Sequence, residues 1–268
     1  MARVLGVRTA STVDTTASLA RLDPSWGCGV HPLAGGWLVL MGAGLYVNRA
    51  LSAGVENAPI QSDIDSLMTL SEAAGVVPAF EATPSTHLET VHLLRARGFA
   101  HDLARDVTLL TKPVAGTSPE GPDDVVIRPV RPEVDLRLWQ ETSATGWGHT
   151  TTQARRASDA FAAAINALDD EYLVVAFDAG DGRPVGCASL TLRGGVAILG
   201  GMSTVPAERR RGVQAALLRH RMNRAAEQGC NLAATTTARG SASERNLRRH
   251  GFTPRITIAT YARLTHGR

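Results

Sequence analysis

Cysteine is scarce and scattered. Cys28, Cys187 and Cys230 stand far apart and form no CxxC pair. An odd, sparse set argues against a disulfide framework and against zinc-ligand spacing, and it fits a reducing compartment. Each reads as a small buried hydrophobe, and no metal is expected. Long apolar runs are also missing, since none approaches the roughly 20 residues a membrane-spanning helix needs. The opening stretch, Met1 to Arg21, has arginines but no continuous apolar segment, so a secretory leader is not expected. These absences point to a cytoplasmic protein with no membrane partner. Lysine is nearly absent too: Lys112 is the only one, and the net charge is a mild +3. An arginine bias of this kind reads as coding preference in a GC-rich genome. A nucleic-acid binder would gather its arginines on one face beside aromatic or amide readers, so no nucleic-acid partner is expected.

What is present is an ordinary apolar fraction, 44%, in a chain of 268 residues, enough for one large or two small domains. The first 30 residues are poorly patterned, with a helix possible over Thr12 to Leu22. Short strands are expected at Trp37 to Leu40 and Gly44 to Val47. A helix follows over Ser62 to Ala74, stopped by Gly75, and then a strand over Val76 to Ala82. Ser85 to Arg97 reads as a helix capped by Ser85 or Thr86 and ended by Gly98-Phe99, and Asp106 to Thr111 as a strand. Pro113 to Asp124 mixes Pro, Gly, Ser and acidic residues without periodicity and is the best linker in the chain.

Beyond it, Val125 to Val130 reads as a strand. Helices over Glu133 to Ser143 and Thr151 to Leu168 flank a loop, Thr145 to Thr150, that carries Trp147 and His149. Tyr172 to Asp178 and Val185 to Leu192 make a hairpin across Ala179-Gly180-Asp181-Gly182. A strand over Val196 to Val205 leads into Pro206-Ala207-Glu208-Arg209-Arg210-Arg211-Gly212. A helical pattern follows, with Leu218, Met222 and Ala225 inward and Gly229 as its stop. Last come a strand at Leu232 to Thr237, a helix at Ser241 to His250 and a strand at Ile256 to Leu264. A loop with three arginines and a glycine at a helix N-terminus is an anion site: the helix offers unpaired N–H groups and the positive end of its dipole. Gly212 lets backbone approach the ligand where a Cβ would intrude.

Here the chain resembles the GNAT superfamily of acyl-CoA-dependent N-acyltransferases, whose pyrophosphate loop reads [Q/R]-x-x-G-x-[G/A]. Arg209, Arg210, Arg211, Gly212, Val213 and Gln214 occupy it; the first and fourth positions match and Gln214 departs, with Ala215 and Ala216 keeping the next positions small. The order of elements from residue 125 is similar to that family's, as is Ser241 to Phe252, which resembles its fourth helix and Gly-Phe ending. The resemblance implies a mixed α/β sheet with helices on both faces, and acetyl-CoA as co-substrate. It implies donor contacts from the main chain of Met202, Ser203, Thr204 and Val205, from the loop through Ala215, and from Ser243 and Asn246. The partner it implies is a small-molecule or peptide amine acceptor, on a monomer or homodimer.

A repeat extends the reading. Leu94-Arg95-Ala96-Arg97-Gly98-Phe99 echoes Leu247-Arg248-Arg249-His250-Gly251-Phe252 at an offset of 153. On that register Arg209 and Gly212 fall on Glu56 and Pro59, a carboxylate that repels phosphate and a residue with no N–H. The expectation is a tandem GNAT-like fold of two units. Residues 1–115 form a degenerate unit without a pyrophosphate loop, 116–123 a linker, and 124–268 the acetyltransferase domain. For proton transfer, His149 and Glu141 are the candidate bases on the acceptor side, with water as the alternative. The position where the family often has a tyrosine acid holds Leu247; Tyr261 is the other tyrosine considered. A non-catalytic acyl-CoA-binding sensor is the alternative function.

Overall fold

The computed structural model describes residues 1–45, 47–117, 124–131 and 134–263. Most of the expected linker, the start of the helix expected at Glu133, Tyr46 and Leu264 therefore lie outside the described residues. The chain divides into two compact units, one of Met1–Thr111 with Thr236–Arg268, the other of Lys112–Thr235. The last segment is thus grouped with the N-terminal residues, whereas the sequence boundary at 116–123 groups it with 124–235.

The first unit opens with α1 (Ala2–Leu22), then β1 (Gly29–Leu33), β2 (Gly36–Leu40), β3 (Asn48–Leu51), α2 (Gln61–Ala73), β4 (Ala79–Ala82), α3 (Leu88–Ala96), β5 (Ala100–His101) and β6 (Val107–Pro113). The second holds β7 (Val125–Pro129), α4 (Leu136–Trp147), α5 (Thr152–Asn166), β8 (Glu171–Asp178), β9 (Pro184–Arg193), β10 (Val196–Thr204), α6 (Val213–Glu227) and the paired start of β11 (Leu232–Ala238). The chain then returns to the first unit with α7 (Ala242–Arg249) and β12 (Thr253–Ala262).

In the first unit, β1, β2 and β3 form an antiparallel meander, and β3 runs parallel to β4 through Ala50 opposite Phe80. The incoming strand is β12. Its first half, Thr253 to Ile258, pairs antiparallel with β6, and its second half, Ala259 to Ala262, pairs antiparallel with β4. The core joins Leu38, Ile64, Leu67, Phe80, Leu94 and Phe99, and Tyr261 of β12 belongs to it. Tyr261 also stacks on His101 at 5.3 Å, so it is a core aromatic of this unit.

Two departures from the sequence reading have local causes. The helix begins at Ala2, ten residues earlier than expected. Its threonines turn their hydroxyls back onto the preceding turn, Thr15 onto the Ser11 carbonyl at 2.8 Å and Thr16 onto the Thr12 carbonyl at 2.7 Å. These internal bonds let Thr15 and Thr16 be buried in the apolar face. The β1–β2 hairpin turns on Ala34 and Gly35, both with positive φ (45° and 76°). An alanine in that conformation carries none of the Asn-Gly or Asp-Gly signal by which a tight hairpin is read.

The second unit is a sheet in the order β7-β8-β9-β10-β11, antiparallel except for β10 and β11. Both faces of β8 are buried. Leu173 and Val175 pack with Trp139, Ala162 and Ile165 of α4 and α5, while Val174 and Ala176 pack with Val213 and Leu217 of α6. Alternate residues face opposite sides of a strand, so a helix on each face produces the unbroken apolar run Leu173-Val174-Val175-Ala176.

Candidate active site

β10 carries an irregularity. It pairs with β9 in regular register from Val196 opposite Arg193 to Gly200 opposite Ser189. The register then shifts, resuming at Ser203 opposite Cys187 and Thr204 opposite Gly186. Gly201 and Met202 therefore face Ala188 alone, a β-bulge. Gly201 has φ of 50°, and a Cβ there would come within 2.8 Å of Ser189 Oγ. On the other edge the parallel ladder to β11 stops at Ile198 opposite Ala234. Past that point Thr235 Oγ1 donates to the Leu199 carbonyl at 2.8 Å.

The bulge is gripped from both faces. Trp139 Nε1 of α4 donates to the Ala188 carbonyl at 3.1 Å. Arg221 of α6, 1% exposed, donates from Nη1 to the Ser189 carbonyl at 3.0 Å and the Gly200 carbonyl at 3.1 Å. Its Nη2 reaches Met202 Sδ at 3.0 Å. Burial lowers the guanidinium to about 10, so it stays charged at neutral pH. The sequence reading missed Arg221. The available signal was its spacing, four residues from both Leu217 and Ala225 on the buried face of α6.

β10 runs into the arginine turn and α6. Gly212 is the N-cap, with φ of 81° and nothing within 4 Å of an added Cβ. No side chain among the described residues caps the helix. The amide of Ala216 closes on the Gly212 carbonyl at 3.0 Å, which leaves the amides of Val213, Gln214 and Ala215 ahead of the first intrahelical bond. The helix starts close to the sheet because Gly186 has no side chain; a Cβ there would meet Val213 Cγ1 at 2.9 Å. Val213 is buried, and Gln214 and Ala215 are half-buried.

The three arginines have different partners. Arg209 Nη2 donates to the Gly146 carbonyl in the last turn of α4 at 3.0 Å, a favourable place for a cation. Arg211 donates to Glu208 and, at 2.8 Å, to Asp178 Oδ2. Arg183 holds the other oxygen of Glu208 at 2.9 Å. Burial raises the Glu208 carboxyl, but the bonds from Arg211 and Arg183 outweigh it and keep Glu208 below the usual carboxylate range. The Gly180 amide and Arg211 do the same for Asp178. Arg210, exposed and with φ of 67°, has no side-chain partner among the described residues.

The neighbouring helix end supplies the other candidates. α4 continues past the expected stop at Ser143 and ends at Trp147. Gly146 permits this, since a Cβ there would sit 2.5 Å from Ser203 Oγ. Gly148, φ 73°, turns the chain; its amide bonds to the Thr145 carbonyl and that of His149 to the Ala144 carbonyl, a Schellman motif. His149 is therefore fixed one residue past a helix cap. Its Nδ1 is enclosed and has no hydrogen-bond partner among the described residues. Trp147 is 58% exposed. Glu141 is exposed and bonded to Arg137. Asp159 of α5, absent from the sequence candidates, is raised by burial; the charges of Arg155, Arg137 and His149 pull it down and that of Glu141 pushes it up.

Met202 and Thr204 are half-buried, and Ser203 is buried with its Oγ 3.4 Å from Cys187 Sγ. The Val205 amide bonds to the Val185 carbonyl at 3.0 Å. Burial pushes the Cys187 thiol up to about 11, so it is neutral. Ser243 and Asn246 lie half-buried on α7, in the first unit. The cap of α7 is Ser241, which accepts from the Glu244 amide at 3.1 Å. Leu247 is buried. Among the described residues no group of three or more His, Cys, Asp or Glu side chains could hold a metal, and no helix is long and apolar enough to cross a membrane.

Residues 135–252 match the model of the Acetyltransferase (GNAT) family. That stretch runs from the start of α4 to the Gly-Phe ending of α7 and takes in the bulged strand, the arginine turn and α6. Among solved structures, a GCN5-related N-acetyltransferase from Kribbella flavida is similar at TM-score 0.64 and 18% identity, over 93% of this chain and 95% of that one. A tandem GNAT protein from the clavulanic acid biosynthesis pathway is similar at TM-score 0.61 and 14% identity, over 87% of this chain and 79% of that one. At these identities the likeness is one of fold: a mixed α/β architecture shared with GNAT and tandem GNAT structures. No curated protein matches the chain.

Proposed function

We propose that this protein transfers an acetyl group from acetyl-CoA to a primary amine of a small molecule or peptide, by direct attack of the amine on the thioester. The observation that carries the reading is the uncapped N-terminus of α6, with Gly212 in the left-handed conformation, inside the GNAT-matched stretch. Pyrophosphate binding then falls on the amides of Val213, Gln214 and Ala215 and on the exposed Arg210. Arg209 and Arg211 act by fixing the shape of the turn, through Gly146 and Glu208. The main chain running from the bulge at Met202 to Val205 takes the pantetheine arm and polarises the thioester carbonyl. His149 is the base for the ammonium, in preference to the ion-paired Glu141. Ser243 and Asn246 remain donor contacts in this reading.

The proposal keeps a degenerate unit over residues 1–115, a linker at 116–123 and the working domain over 124–268, in the cytoplasm. Two features support the degeneracy. The loop at Gly54 to Pro59 holds Glu56 and Pro59. The following helix, α2, has its N-terminus served by its own carboxylate, Asp63 accepting from the Ile60 amide at 2.8 Å, which puts a negative charge where an anion would bind.

A second reading, an acyl-CoA sensor without turnover, is favoured by Leu247, which has no proton to give. Release of free CoA from acetyl-CoA across a panel of amines separates the two. Turnover is expected; saturable binding with no turnover for any amine would establish the sensor.

A further inference from the structure

We propose that Arg221 is a positioning residue for acyl transfer: it holds the β10 bulge in shape from behind, and so places the donor thioester without touching it. The inference deepens the acetyltransferase reading and rests on it. Gly200 and Ser189 face each other as the last regular pair before the register shift. Both of their carbonyls converge on one guanidinium nitrogen, Nη1 of Arg221. The other terminal nitrogen reaches Met202, a residue of the bulge itself, and Nε is tied to the Leu217 carbonyl at 3.1 Å. All three nitrogens are thus used, and the side chain has no freedom to turn away.

A bulge frees carbonyl and amide groups from the ladder, and each must find a partner if buried. Here α6 serves Ser189 and Gly200, while Trp139 on the opposite face serves the Ala188 carbonyl. An arginine is an unusual choice for this work. It is 1% exposed, and no carboxylate pairs with it among the described residues. Neutral side chains could satisfy two carbonyls at lower desolvation cost. What a guanidinium adds is a planar fork that fixes several acceptors at once. The same helix begins at Gly212, nine residues before Arg221. One rigid element therefore sets both the anion site, at its first turn, and the bulge, at its third.

The device predicts a separation of effects. CoA affinity belongs to the first turn of α6, whereas the placement of the thioester belongs to Arg221. The test measures the Kd for CoA, kcat with acetyl-CoA and an accepted amine, and amide exchange of Gly200 to Thr204, in the wild type, Arg221→Met and Arg221→Lys. Arg221→Met is expected to keep the CoA Kd within about threefold, to lower kcat by about tenfold or more, and to speed exchange in the bulge. Arg221→Lys should recover part of kcat, since it keeps the charge but loses the fork. Gly201→Ala covers the case in which Arg221→Met does not fold. It distorts the same bulge, through φ of 50° and the 2.8 Å approach to Ser189 Oγ, without disturbing the buried charge, and should show the same split. Wild-type kcat and exchange in Arg221→Met would overturn the inference while leaving the acetyltransferase reading intact, as would wild-type kcat in Gly201→Ala. A kcat loss no larger than the loss in CoA affinity would do the same. A wild-type protein that binds no CoA would overturn both.

Discussion

At the scale of single residues, the three arginines of the turn divide the labour. Arg210 is the one with no side-chain partner among the described residues, so Arg210→Ala should weaken CoA binding roughly tenfold, the low end for a lost charge-assisted hydrogen bond. The loss should shrink at high salt. Pantetheine, which lacks the pyrophosphate, should bind the variant and the wild type alike; calorimetry on both ligands checks this. Arg211 instead stabilises acids. Glu208 and Asp178 both have folded-state carboxyls below their ordinary values. A lowered folded pKa means that the stabilisation is complete above the unfolded value of about 4 and is lost as pH falls through the folded one. The melting temperature should therefore drop as pH is taken from 5 towards 3. In Arg211→Ala the protein should be less stable near neutrality and its acid-side dependence flatter. An unchanged slope would show that the two carboxylates are not coupled to Arg211. His149 makes a third case. If it is the base, kcat/KM has an acidic limb that His149→Ala erases, with kcat down about 10²-fold and CoA binding intact. A limb that survives, at the acceptor amine's own pKa, would assign deprotonation to water.

At the scale of elements, legibility followed the caps. Gly75, Gly98, Gly229 and Gly251 all end helices in the left-handed conformation, with φ of 66°, 82°, 69° and 82°. In each of these ends the glycine and the residue after it bond back to the last turn, and each was readable because glycine past an apolar pattern has one common use. The Gly-Phe junctions match in detail: Phe99 bonds to the Leu94 carbonyl and Phe252 to the Leu247 carbonyl, both at 3.0 Å. Where reading failed, a glycine served packing. Gly146 sits inside α4, where its low propensity mimics a stop, yet the residue is required by contact with Ser203. Gly146→Ala should cost about 1–3 kcal/mol by overpacking, despite alanine's better helix propensity. Ser203→Ala in the same chain removes the nearest atom and should return part of the loss; denaturant unfolding of the double-mutant cycle measures it. The arginine turn was legible from composition and spacing. The bulge behind it was not, because register is a property of two strands and shows in neither sequence alone.

At the scale of the whole molecule, the sequence gives the order of elements but not which strand completes which sheet. The repeat, at an offset of 153 residues, divides the chain near its middle, whereas the compact units assign Thr236–Arg268 to the company of Met1–Thr111. The cause lies in β12, which pairs with β4 through its second half and with β6 through its first, and contributes Tyr261 to the core around Phe80. Remove it, and β4 and β6 each lose a neighbour in a sheet whose remaining link at β4 is the single pair Ala50 and Phe80 to β3. A fragment of residues 1–115 should therefore fail to fold by itself, although the sequence pattern marks it as a unit. The fragment is expected to lack a cooperative thermal transition and dispersed amide resonances. Adding a peptide of residues 253–263 should restore some of both, because the strand supplies an antiparallel partner to each exposed edge along with the missing tyrosine. Full-length protein with Tyr261→Ala tests the same core without cutting the chain. Loss of a buried aromatic there should cost about 3–5 kcal/mol. Denaturant unfolding reads that loss, and a fragment 1–115 that folds cooperatively alone would show that β12 is dispensable to the first unit.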